Sequence, residues 1–99
     1  MDADTTTEED KKAQLEMVEL ANKFIAMANQ MGQKEKRASW IIGSALRYAA
    51  ARYSAYESSM GSEDFLKDRD QLENWFGSQF KTMLIANMQQ EVEALKDKG

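Results

Sequence analysis

Apolar side chains return every three or four positions along most of this chain, the spacing that places them on one face of a helix. From Met17 to Met31 the pattern is clean. Met17, Val18, Leu20, Ala21, Phe24, Ile25, Met27, Ala28 and Met31 fill about half of a helical wheel, while Glu16, Glu19, Asn22, Lys23, Ala26, Asn29 and Gln30 fill the rest. Thr7 followed by Glu8-Glu9-Asp10 has the form of an N-cap with an acidic first turn, which suits the positive end of the helix dipole. Gly32 supplies a stop. The pattern therefore predicts a first helix over about 8–31.

A short basic connection, Lys34 to Arg37, leads to a second predicted helix over about 38–58. Its main apolar arc holds Ile41, Ile42, Ala45, Leu46, Tyr48, Ala49, Tyr53 and Tyr56. The opposite side is made of small residues: Gly43, Ser44, Ala50, Ala51, Ser54 and Ala55. Only Arg47, Arg52 and Glu57 carry charge in that span, whereas an ordinary surface helix shows Lys and Glu on its outer face. Either this helix is approached closely on two sides, or alanine is present simply because it favours helix.

Met60-Gly61-Ser62 interrupts the pattern, and Phe65 and Leu66 suggest a short turn or helix near 63–67. Asp68 and Asp70 each begin a capping-box spacing, to Gln71 and Glu73, so a third helix is predicted over about 69–96. Its stripe runs through Leu72, Trp75, Phe76, Phe80, Met83, Leu84 and Met88. It then drifts toward Val92 and Leu95, so the end of the helix faces a different neighbour or extends past the bundle. Residues 1–6 and 97–99 are expected to fray.

These elements predict an all-α fold, a three-helix bundle forming a single domain over 1–99. At 99 residues there is room for one core, and a chain of this size buries roughly 60–70% of the surface that its unfolded form exposes. The margin is thin, so completion by self-association is an expectation. Proline is absent, as suits a helical chain.

Composition narrows the chemistry. With neither cysteine nor histidine, the chain lacks thiolate chemistry, the two commonest transition-metal ligands and the commonest general base. Glu91 and Glu93 point different ways on a helix, and Glu16, Glu19 and Lys23 make an ordinary solvated face. There is no phosphate-binding loop, dinucleotide glycine motif or nucleophile elbow. No catalytic residue, cofactor or metal is therefore expected, and an enzyme is disfavoured. A net charge of −4 argues against nucleic acid and anionic membrane surfaces as partners. The acidic start and the lack of a long apolar run favour a cytoplasmic protein.

Five side chains of the second helix are the candidate interaction or ligand residues: Arg52, Tyr48, Tyr53, Trp40 and Arg47. Arg52 falls inside the apolar arc, and a buried guanidinium must find acceptors. It would form an internal ion pair, with Glu73 or Asp70 as partner, or hold an anion beside the tyrosine hydroxyls. Trp40 lies opposite the main arc and could rest on Arg37 or Arg47, fill a second core layer or mark a contact surface. Trp75 is expected in the core. The seven methionines read as core filling rather than a pliant groove.

The segment Ala45-Leu46-Arg47-Tyr48-Ala49-Ala50-Ala51-Arg52-Tyr53-Ser54-Ala55-Tyr56 resembles the alanine-rich "LLYAAARFNAF" motif of a family of small all-helical bacterial proteins classed as a domain of unknown function. Leu20 to Asn29 is similar to the family's first helix, and Phe80 to Leu84 to its last. Arg47 and Ser54 depart from the motif, where the family tends to have an apolar residue and asparagine. The resemblance implies a helical bacterial protein and brings no activity. The sequence thus favours a non-enzymatic module that binds a protein partner or forms a homo-oligomer. A bundle binding a small molecule or anion around Arg52, and a small acidic inhibitor, are the alternatives.

Overall fold

A computed structural model describes residues 7–98 of the chain. It is all-α, with the three expected helices in order: α1 (Glu8–Lys34), α2 (Ser39–Gly61) and α3 (Phe65–Lys98). The fold divides into two units, Met1–Ala49 and Ala50–Gly99, with the division inside α2. Residues 1–6 and Gly99, expected to fray, lie outside the described residues, and α3 runs through Asp97 and Lys98.

In the first unit, α1 opens as the sequence predicts. The Thr7 hydroxyl accepts the Asp10 N–H at 3.0 Å and the Asp10 carboxylate accepts the Thr7 N–H at 3.3 Å, a reciprocal capping box. Its end differs from the expectation. Gly32 is not the stop, since the helix continues to Lys34. The chain turns at Lys36, whose φ of 52° is the left-handed conformation usually given to glycine. The Arg37 N–H reaches back to the Gly32 carbonyl at 3.1 Å, and the Glu35 N–H to the Met31 carbonyl at 2.9 Å. These bonds satisfy carbonyls at the helix end that would otherwise lack donors. The least exposed positions of this unit are Ala21, Ala28, Gly32, Ile42 and Gly43.

In the second unit the separate turn or helix expected near 63–67 is absorbed into α3, which begins at Phe65 rather than near residue 69. The reason is a cap four residues upstream of Asp68. The Asp64 carboxylate accepts the Lys67 N–H at 3.2 Å, and the Asp64 carbonyl accepts the Asp68 N–H at 3.0 Å. Asp68 then sits in the first turn and accepts the Ser62 hydroxyl at 2.8 Å, fastening the end of α2 to the start of α3. Ser54, Ser58 and Ser62 recur every fourth residue and are the covered positions at the end of α2. Asp68, Leu72 and Phe76 do the same at the start of α3. Most of the small face of α2 is nevertheless open: Ser44, Ala50, Ala51 and Ala55 are exposed, and of that face only Gly43 and Ser54 are partly covered. The Ser58 hydroxyl is satisfied by the Ser54 carbonyl at 2.8 Å.

Burial is otherwise sparse. Ala28 and Ser58 are the buried residues among those described; Ile42, Leu72 and Phe76 are partly covered, and the other large apolar side chains of the three helices are exposed. The methionines among the described residues and Trp75, expected in a core, are among the exposed ones. The helical periodicity is present, but the chain's own helices cover little of it.

Candidate interaction surface

The candidate residues lie on α2, with Trp40, Arg47 and Tyr48 in the first unit and Arg52 and Tyr53 in the second. Trp40 is 69% exposed, so it fills no second core layer. Arg47 lies back along its own helix, where its guanidinium donates to the Ser44 hydroxyl at 3.3 Å. It covers Gly43 so closely that a Cβ there would come within 3.2 Å of Nη1. The small residue at 43 thus makes room for the arginine arm. Tyr48 is 74% exposed.

Arg52 departs from the sequence reading. It is exposed and belongs to none of the ion pairs among the described residues. Its position within the apolar arc is as the wheel gives it, but the arc is open, so the guanidinium keeps its water and needs no internal acceptor. Of its two expected partners, Asp70 belongs to none of the ion pairs among the described residues, and Glu73 pairs instead with Arg69 one helical turn away, at 2.9 Å. That hydrogen bond, and then the charge of Glu73, raises the Arg69 pKa further above its ordinary value. Both side chains are exposed, so the pair is a surface feature with little hold on the fold. Beside Arg52, Tyr53 meets Tyr56 edge to face, with centroids 5.8 Å apart and planes at 61°.

A second apolar feature was not singled out in the sequence. Along α3, Trp75, Ser78, Gln79, Thr82 and Met83 line an open, shallow depression of about 370 Å³. Trp75 is held at its edge by a near-perpendicular contact with Phe76, centroids 4.8 Å apart. Trp75 and Met83 belong to the apolar stripe, but Ser78, Gln79 and Thr82 between them are polar, so the residue pattern carries no signal for this depression. Among the described residues no three Asp, Glu, His or Cys side chains are grouped to hold a metal ion. No described helix is long and apolar enough to cross a membrane.

Residues 17–92 match the family described as "Protein of unknown function (DUF3144)". The chain belongs to this family. The match begins within α1, takes in all of α2 and ends within α3. No curated protein and no solved structure gives a match to the chain. Membership fixes kinship and carries no activity, so chemistry has to be argued from this chain's own surface.

Proposed function

We propose that the protein is a non-enzymatic helical module that assembles with a second copy of itself, and that assembly supplies the core its helices lack. The observation that carries this reading is the burial pattern: Ala28 is the buried hydrophobic residue among those described, while Phe24 on α1 is 63% exposed and Leu20, Met27 and Met31 are open beside it. Fully burying a side chain of this kind is worth about 1.5–3 kcal/mol, and folding must offset about 1–2 kcal/mol of backbone entropy per residue. A chain with so little covered apolar surface is therefore expected to be only marginally stable alone and to gain stability from a partner. The one partner always present with the chain, at matching concentration, is another copy. A protein encountered only occasionally would leave this surface bare in between.

Sedimentation of the full chain over a wide concentration range tests this, with thermal melting followed alongside. The expected result is a reversible oligomer whose melting midpoint rises with concentration. A monomer at high concentration, melting cooperatively at a midpoint independent of concentration, would overturn it.

A further inference from the structure

From Gly77 to Lys98 every residue of α3 is exposed, although the helix is unbroken to its end. Along this stretch Gly77, Lys81, Leu84, Met88, Glu91 and Leu95 follow one another at steps of four, three, four, three and four. That alternation is the repeat of a coiled-coil seam. Leu84, Met88 and Leu95 are 41%, 59% and 68% exposed, so the seam is open along its length.

The order of residues in the seam is self-complementary when reversed. Reflected about the level of Ala86, Leu84 falls opposite Met88, Lys81 opposite Glu91, and Gly77 opposite Leu95. Each pair sets one seam position against the other kind, the layering that two antiparallel helices require. An apolar pair lies in the centre, opposite charges lie on either side, and the largest gap in the seam meets a leucine. A parallel, in-register pairing would instead set Lys81 against Lys81 and Glu91 against Glu91, so the charges select direction as well as register. Within one helix Lys81 and Glu91 are about 15 Å apart at 1.5 Å per residue. Neither belongs to an ion pair among the described residues.

We infer that the C-terminal half of α3 pairs antiparallel with the same segment of a second copy, about a twofold axis at the level of Ala86, with Lys81 and Glu91 as the register-setting charges. This rests on the assembly reading above and adds the segment, direction and register.

The test is a charge swap in the full chain. Lys81→Glu alone places glutamate against Glu91 in both charged layers, and Glu91→Lys alone places lysine against Lys81. Each is expected to raise the self-association constant for dissociation about tenfold or more at low salt, with a smaller effect at high salt. The equimolar mixture of the two single variants restores opposite charges in both layers, and so does the double variant; both are expected to regain wild-type association. Helicity at the lowest concentration, read by circular dichroism, controls for folding, because both side chains are exposed. A wild-type assembly indifferent to both reversals, or a mixture no tighter than its components, overturns the pairing and leaves self-association standing. A wild-type monomer overturns both.

Discussion

The front and rear of α3 belong to one helix and carry similar proportions of apolar residues, yet they stand in different surroundings. From Phe65 to Phe76 the helix is capped by Asp64, tied to Ser62 through Asp68, and partly covered at Leu72 and Phe76. From Gly77 to Lys98 nothing is covered. The apolar stripe explains the change. Leu72, Phe76, Phe80, Leu84 and Met88 advance in steps of four, and each step turns the stripe about 40° further around the axis. A stripe that turns this way cannot keep facing one straight neighbour. The front is committed to the chain's own α2, while the rear presents a different face for a different occupant. One helix can therefore serve folding at one end and association at the other.

The comparison breaks most visibly at the rear. Replacing Leu84 and Met88 together by alanine removes the apolar layers at the centre of the inferred seam, and each is used twice in a symmetric pair. The expected loss is about 3 kcal/mol or more, a hundredfold or greater weakening of self-association. The low-concentration helical signal should be nearly unchanged, because alanine is the better helix former. Sedimentation equilibrium and circular dichroism on the same samples check both halves. A collapse of helicity in the dilute chain would show that these residues serve the front's kind of role.

At the front, Leu72→Ala should act the other way. Leu72 is only partly covered, so about 1–2 kcal/mol is expected, below the range for a fully buried leucine. Urea denaturation at two well-separated concentrations should show the same shift at both, with association otherwise as in the wild type. If the shift appears only at high concentration, Leu72 belongs to the assembly rather than to the fold of the chain, and the contrast between the two ends fails.

Much of this architecture was legible in the residue pattern. The 3.6-residue period identifies all three helices, and Thr7 with Asp10 announces the first cap. The start of α3 was less legible because Asp64 is followed three residues later by Lys67, not by Glu or Gln, so the capping-box signature pointed further on, to Asp68 and Asp70. The end of α1 was misplaced because the left-handed position falls to Lys36 instead of Gly32. Burial was the least legible property. Periodicity says which side of a helix is apolar, and it does not say what covers that side. Arg52 shows the consequence: its place on the wheel implied a buried charge with a partner, and the open arc leaves it solvated.

Two helical glycines sharpen the comparison at the smallest scale. Alanine in place of glycine in a helix gains up to about 1 kcal/mol from backbone entropy alone. At Gly77, where the rear of α3 begins, a Cβ meets no atom within 4 Å. At Gly43 it meets the Arg47 guanidinium at 3.2 Å, so that arm must move and surrender its bond to Ser44. Gly77→Ala should therefore stabilise the dilute chain by most of the available amount, and Gly43→Ala by a few tenths less. Thermal melts at low concentration measure that difference. Repeated at high concentration, the Gly77 variant reports on the seam as well. There Leu95 of the second copy lies opposite, so the added methyl must share space with it, and the gain should shrink. A gain at Gly77 that is the same at every concentration would mean that nothing approaches this face in the assembly, and that the rear of α3 meets its partner on another side.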